Sequence, residues 1–188
     1  MRKVILNLAV TLDGFIEGPN GEVDWCRMDN DSGSESFFDK FLSGIDTIFY
    51  GRISYELWGQ YQPAEDASNP EKKLWQTVHS KRKYVFSKNP KQDNKATYIS
   101  SAIADRVNEI KNQPGKNIWL YGGANLITNF INEGLVDTYL LAVFPVILGA
   151  GKPLFSNIQN RIGLSLNYIE TSKSGVILVS YDTKKQMM

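Results

Sequence analysis

The sequence predicts an α/β domain on a mostly parallel sheet, with antiparallel strands added at its C-terminal end. Three observations predict it. Short, almost wholly apolar runs bounded by turn residues recur at Val4 to Val10, Ile118 to Tyr121 and Val136 to Val143, as strands covered on both faces require. Between such runs lie segments whose apolar residues recur every three or four positions, the helical period. Near the end, Leu164 to Thr171 and Val176 to Tyr181 alternate instead, as a terminal antiparallel pair would.

In order, Val4 to Val10 is the first strand. Asp13 to Ser34 is rich in Gly, Asn, Asp and Ser and turns at Gly18-Pro19-Asn20-Gly21, a long loop of the kind that often forms a functional lid. Ser34 can cap a helix over Phe37, Phe38, Phe41 and Leu42. Thr47 to Tyr50 is a strand ended by Gly51-Arg52. Helices follow at Ile53 to Trp58 and Lys72 to Val78, then a strand at Lys83 to Ser87. Ser101 can cap a helix over Ile103, Val107 and Ile110. The strand at Ile118 breaks at Gly122-Gly123, and Leu126, Ile127, Phe130 and Ile131 form a helix that Gly134 stops. Val136 to Val143 is a long apolar strand, and Val136 to Val146 is long and apolar enough to be a candidate dimer surface.

The chain has 188 residues, so one domain over 1–183 with a short disordered tail at 184–188 is expected. A formal net charge of +1 gives no electrostatic footprint for nucleic acid or an anionic membrane. Val4 to Val10 after Arg2-Lys3 is too short for a signal peptide, and no segment is long and apolar enough to span a bilayer. One cysteine, Cys26, and one histidine, His79, make neither a disulfide framework nor a Cys/His metal site. A soluble cytoplasmic protein without metal is expected.

Two junctions carry chemistry. At Gly122-Gly123 a strand meets a helix N-terminus, where bare backbone and unpaired N–H groups favour an anion. A turn chosen only for its geometry reads equally well from this stretch alone. At Gly51-Arg52 the same strand, glycine, helix order recurs with a fixed cation and the Ser54 hydroxyl. Ligands of open α/β sheets bind outside the carboxyl ends of strands. Gly51-Arg52, Ser87-Lys88 and Gly122-Gly123 all fall at such ends, which favours a phosphorylated ligand such as a dinucleotide. Gly149-Ala150-Gly151-Lys152-Pro153 imitates the end of a phosphate-binding P-loop, but its first glycine is misplaced and Pro153 replaces the magnesium-holding hydroxyl. No G-x-G-x-x-G fingerprint occurs.

Leu8-Ala9-Val10-Thr11-Leu12-Asp13-Gly14-Phe15-Ile16, the Gly51-Arg52-x-Ser54-Tyr55-Glu56 junction and Tyr121-Gly122-Gly123 resemble the dihydrofolate reductase superfamily. More particularly, Phe144-Pro145-Val146-Ile147-Leu148-Gly149-Ala150-Gly151-Lys152-Pro153-Leu154-Phe155 resembles the reductase domain of the bifunctional riboflavin-biosynthesis deaminase/reductase, the RibD C-terminal-like proteins. The resemblance runs in order over nearly the whole chain.

It implies a three-layer α/β/α sandwich of dihydrofolate reductase type, NADPH as hydride donor, and a homodimer. Ala9 and Ile16 would sit beside the nicotinamide. Gly51, Arg52 and Ser54 would meet the phosphates, as would Gly123, Ala124, Asn125 and Leu126, and the Gly122-Gly123 peptide would be cis. Ser87 and Lys88 would lie near the adenosine ribose and its 2′-phosphate. Asn7, Asp24 and Trp25 would line the substrate pocket, with Asp24-Trp25 over the substrate. Glu35 matches the pterin-binding carboxylate of folate reductases, and is equally placed to be a helix N-terminal charge favoured by the dipole. Asp13 is expected to organise the loop and His79 to be a surface helix residue. Tyr121 reads either as core packing or as a ring against the cofactor.

The implied activity is an NADPH-dependent reductase acting on a C=N or C=O bond of a small heterocycle, resembling 5-amino-6-(5-phosphoribosylamino)uracil reductase. Dihydrofolate reduction and nucleotide binding without turnover are the alternatives. Gly59 to Ser68 contains no Arg or Lys to hold a folate tail carboxylate. The deaminase signature H-x-E with P-C-x-x-C is missing as well.

Overall fold

Apolar runs become strands and the 3–4 periodic segments become helices, in a computed structural model that describes residues 1–26 and 37–184. Ser34, Glu35 and tail residues 185–188 lie outside the described residues. The chain divides into two compact units, one holding residues 1–2 and 37–126, the other 3–26 and 127–184.

The first unit's sheet uses β3 (Ile45–Gly51), β4 (Arg82–Phe86), β5 (Thr97–Ile99) and β6 (Asn117–Gly122), ordered β5-β4-β3-β6 with every pair parallel. The register sets Gly51 opposite Phe86, Phe86 opposite Ile99, and Tyr50 opposite Gly122. Four carboxyl ends therefore share one edge. The three-residue β5 shows no alternation and escapes the sequence pattern. Ile48, Phe49, Val85 and Leu120 bury the strands' apolar faces. Helix α1 (Phe37–Ser43) lays Phe41 edge-on against Trp119, ring centroids 5.4 Å apart.

Arg2 is 5 % exposed and ties the N-terminus into this unit. Its Nε donates to the Lys116 carbonyl at 2.5 Å, and Nη2 donates to the Thr47 hydroxyl at 2.6 Å and to Asp46. The Asp46 carboxylate also accepts the Lys116 amide at 2.9 Å. Burial alone would raise the Asp46 carboxyl, but the Lys116 amide, the Thr47 hydroxyl and the Arg2 charge outweigh it and hold it below the usual range.

The expected Ile53 to Trp58 helix is a single α turn, α2 (Arg52–Ser54), continued as a π-helical turn over Tyr55–Gly59. Tyr55 is fully buried and donates its hydroxyl to Asp93 at 2.7 Å. A Cβ on Gly59 would lie 2.3 Å from the Tyr55 ring, so that ring requires a glycine there. Helix α3 (Asn69–His79) starts before Lys72 because Ser68 caps it by accepting the Glu71 amide and Pro70 is tolerated in the first turn. Helix α4 (Ile103–Asn112) is not capped by Ser101. Its N-cap is Ala102, in the left-handed region at φ 48°, with no side-chain cap.

The second unit's sheet runs β1 (Val4–Thr11), β7 (Thr138–Phe144), β10 (Ile177–Thr183), β9 (Leu164–Thr171). β1 and β7 are parallel, and the two later pairs are antiparallel, as their alternation predicts. Both units together give the expected α/β class with a mixed, mostly parallel strand arrangement. β7 is an inner strand between β1 and β10 with Tyr139, Leu140 and Leu141 buried.

The long loop after Asp13 also holds structure. β2 (Phe15–Glu17) pairs with β8 (Lys152–Pro153). Asp13 ties the same two segments, accepting from the Thr11 hydroxyl at 2.6 Å and the Gly149 amide at 2.8 Å. The Thr11 bond first, then the Gly149 and Leu148 amides, hold its carboxyl below the ordinary range despite some desolvation. Amides of the P-loop look-alike are thus taken by the chain's own carboxylate. Helix α5 (Ala124–Asn132) carries the boundary between the units, and Gly134 at φ 64° ends it while the Leu135 amide bonds the Phe130 carbonyl at 2.8 Å.

Candidate functional site

The candidate site is the carboxyl edge of the first unit's sheet. A Cβ built on Gly51 would stand 3.1 Å from the Gly123 amide nitrogen and 3.4 Å from the Gly122 carbonyl oxygen. One built on Gly123 would stand 3.1 Å from Ser54 Oγ. Gly51, Gly123 and Ser54 therefore touch through bare backbone and one hydroxyl, and a side chain at either glycine would fill the cradle. Gly122 has φ 129°, a conformation that favours glycine, and the Gly122-Gly123 peptide is cis, as the resemblance implied. Ala124, Asn125 and Leu126 open α5, so the free amides of a nine-residue helix begin beside this contact.

Arg52 follows Gly51 directly, and Nη1 donates to Glu56 Oε2 at 2.6 Å. Lys91 Nζ donates to the other oxygen of Glu56 at 2.7 Å. The Lys91 hydrogen bond, then the Arg52 charge, outweigh desolvation and keep the Glu56 carboxyl below its ordinary range. The Gly51 junction thus contributes side chains at a short α turn rather than a second long helix N-terminus. Ser87 continues β4, its hydroxyl donating to the Asn89 carbonyl at 3.0 Å and accepting the Asn89 amide at 3.1 Å. Lys88 is exposed and makes no ion pair among the described residues.

Behind the edge, Tyr50 is fully buried between Tyr55 and Tyr121, with centroids 5.7 Å and 4.9 Å away. Its hydroxyl has no hydrogen-bond partner among the described residues, and burial first, then the neighbouring tyrosines, push its pKa up. Tyr121 also meets Trp119 at 4.9 Å, so it packs in an aromatic row. His79 ends α3 with Nε2 2.7 Å from the Tyr61 carbonyl oxygen, a structural contact.

The remaining predicted residues belong to the second unit. Asn7 and Ala9 lie two apart on one face of β1, with Asn7 buried and Ala9 opposite Ala142. Ile16 is in β2. Trp25 packs edge-on against Phe144 at the carboxyl end of β7, centroids 5.5 Å apart, and its buried Nε1 has no partner among the described residues. Asp24 is exposed in the turn that the Cys26 amide closes on the Val23 carbonyl. Glu35 lies outside the described residues. The first unit thus gathers Gly51, Arg52, Ser54, Ser87, Lys88 and Gly122 to Leu126 at one sheet edge. Glu56, quoted above only as the end of the junction, and Lys91 join this edge through their ion pairs. The i,i+4 spacing of Arg52 and Glu56 was a legible signal, whereas Lys91 had none.

Residues 2–178 match the family described as the RibD C-terminal domain. The chain belongs to that family. The Bacillus subtilis (strain 168) protein YyaP, an uncharacterized protein, is 56 % identical over 181 residues, 96 % of this chain and 94 % of that one. Among solved structures, a Shewanella sp. PV-4 protein assigned to riboflavin biosynthesis superposes with TM-score 0.79 at 19 % identity, over 97 % of this chain and 99 % of that one. The Thermotoga maritima diaminohydroxyphosphoribosylaminopyrimidine deaminase/5-amino-6-(5-phosphoribosylamino)uracil reductase gives 0.65 at 15 % identity, over 97 % of this chain and 57 % of that one. Dihydrofolate reductase from Enterococcus faecalis, complexed with NADP(H), gives 0.61 at 13 %, over 97 % of both chains. At these identities the likeness is one of fold alone, of dihydrofolate reductase type. No helix among the described residues is long and apolar enough to cross a membrane.

Proposed function

We propose that this RibD C-terminal domain is an NADPH-dependent reductase that passes a hydride to a C=N or C=O bond of a small heterocycle, in the manner of the uracil reductase half of the T. maritima relative. The carrying observation is the apposition of Gly51, Gly123 and Ser54 at the shared carboxyl edge, a cradle that one methyl group would fill. Bare backbone there fits a pyrophosphate, which needs amides at close range and no intervening side chain. The α5 amides at Gly123 to Leu126, the Ser54 hydroxyl and Arg52 would bind the phosphates, while Ser87 and Lys88 would take the adenosine ribose and its 2′-phosphate. In the second unit, the resemblance assigns Ala9 and Ile16 to the nicotinamide and Asn7, Asp24 and Trp25 to the substrate.

NADPH, when bound, supplies the hydride. The chain's own task is to hold the donor ring and the substrate in register and to exclude water. The segment 59–68, without Arg or Lys, favours a substrate with no folate tail over dihydrofolate. The homodimer implied by the resemblance stands as a further proposal, to be decided by light-scattering mass against the 21.2 kDa chain.

Titrating NADPH while following its fluorescence and the melting temperature tests the cofactor reading. Saturation at a hundred times Kd adds about 2.7 kcal/mol of stability. Loss of NADPH absorbance with a ribosylaminopyrimidine, and none with dihydrofolate, is the result expected of the reductase. Binding without turnover on any such heterocycle would leave a nucleotide-binding module, and absence of binding would end the reading altogether.

A further inference from the structure

Glu56 holds two cations with one carboxylate. Arg52 takes Oε2 at 2.6 Å and Lys91 takes Oε1 at 2.7 Å. None of the three is sequestered, since the Arg52, Glu56 and Lys91 side chains are 42 %, 33 % and 60 % exposed. The segment bringing Lys91 is fastened from below: Asp93 accepts the Tyr55 hydroxyl at 2.7 Å and the Lys95 amide at 2.7 Å. Lys91 follows β4 just beyond Ser87 and Lys88, so it comes from the β4 side of Gly51, whereas Gly123 meets Gly51 from the β6 side. A dinucleotide whose pyrophosphate lies at Gly51 and Gly123 and whose adenosine end points to β4 would bring its ribose to this triad.

Two chemistries compete there. A ribose phosphate is a dianion and suits the Arg52 and Lys91 pair, but Glu56 already occupies both. Free ribose hydroxyls are donors, and the Glu56 carboxylate has acceptor sites left after serving the two cations. We infer that Glu56 is an internal rival of the ribose 2′-phosphate, and that Arg52, Glu56 and Lys91 together set how strongly this protein prefers a phosphorylated over an unphosphorylated dinucleotide. The inference rests on the dinucleotide reading above and adds to it a selector that the glycine junctions do not contain. Displacing Glu56 opposes binding of the phosphate, and Lys91, once released, rewards it.

The test is a set of dissociation constants for NADPH and NADH, measured by fluorescence titration at one fixed low ionic strength, for the wild type, Glu56→Gln and Lys91→Met. From the size of exposed ion pairs, Glu56→Gln should tighten NADPH by about two- to tenfold and NADH by a smaller factor, since a freed Arg52 also serves the pyrophosphate that both nucleotides carry. Lys91→Met should weaken NADPH by a similar factor and move NADH by less than about twofold. Both variants should melt close to the wild type, because the pairs are exposed. If both nucleotides bind but the NADPH-to-NADH ratio stays at the wild-type value in both variants, the selector is overturned while the cofactor reading survives. If the wild type binds neither nucleotide, both fall together.

Discussion

Replacing Gly51 by alanine probes the contact on which the site depends. Gly51 has φ −73° and ψ 154°, an extended conformation any residue adopts, so its backbone would not resist a side chain. With open space around it, alanine there would stabilise the fold by about 0.4–1 kcal/mol through the unfolded chain. The space is closed. The new Cβ would stand 3.1 Å from the Gly123 nitrogen and 3.4 Å from the Gly122 oxygen, backbone atoms that cannot rotate aside. The 3.4 Å approach is ordinary contact, but 3.1 Å is closer than Cβ atoms normally come, so the Gly123 amide at the end of β6 must retreat by a few tenths of an ångström. Overpacking of this kind costs about 1–3 kcal/mol, which leaves a net loss of up to about 2.6 kcal/mol after the entropic gain. At this chain length each kcal/mol moves the melting temperature by about 2–4 °C, so a fall of up to about 10 °C is expected. NADPH affinity should fall with it, because the displaced amide is one proposed to face the pyrophosphate. Gly123→Ala is the internal comparison: among the described residues its Cβ meets the Ser54 hydroxyl alone, at 3.1 Å, and adding Ser54→Ala should relieve the crowding. Thermal unfolding and NADPH titration of the three variants decide the matter. A Gly51→Ala protein that melts at or above the wild type and binds NADPH equally well would refute the reasoning.

Arg52→Ala should weaken NADPH binding by on the order of 1–3 kcal/mol, as for loss of a charge-assisted bond, and an unchanged titration would remove Arg52 from the phosphate site. Lys88→Ala should reduce the preference for NADPH over NADH; equal responses of the wild-type protein to the two cofactors would contradict the role given to Ser87 and Lys88. Asp46 supplies a pH prediction. Its carboxyl is held below the unfolded value of about 3.9, so its contribution is present above that value and is lost as pH falls through the lower folded-state pKa. Melting curves from about pH 6 down to about pH 2 should therefore show a smaller acid loss for Asp46→Asn than for the wild type. Parallel curves would show that the Arg2–Asp46 link carries no pH-dependent stability.

Much of the molecule was legible in local signals. Apolar runs bounded by turns located β1, β3, β4, β6 and β7, and the alternation of Leu164 to Thr171 located β9 to the residue. Elements of two or three residues, β2, β5 and β8, were not, because periodicity needs several repeats to show and their pairing partners lie far along the chain. The helix starting at Arg52 was legible as a helix but not as a π turn, in which the Tyr55 ring lies over Gly59. Gly51, Arg52 and Gly122-Gly123 were legible as junctions, since a strand, a glycine and a helix follow one another in sequence.

What the letters determined by themselves is therefore the set of strand ends and the residue types stationed at them. Only the tertiary structure decided that Gly51 abuts Gly123, that Ser87 is the neighbour of Gly51 through β4, and that Glu56 binds Arg52 and Lys91 together. The reason is physical. Propensity and periodicity act over a few residues and reach only the Arg52–Glu56 pair, whereas the other contacts join residues dozens of positions apart and leave no mark in any single stretch of the chain.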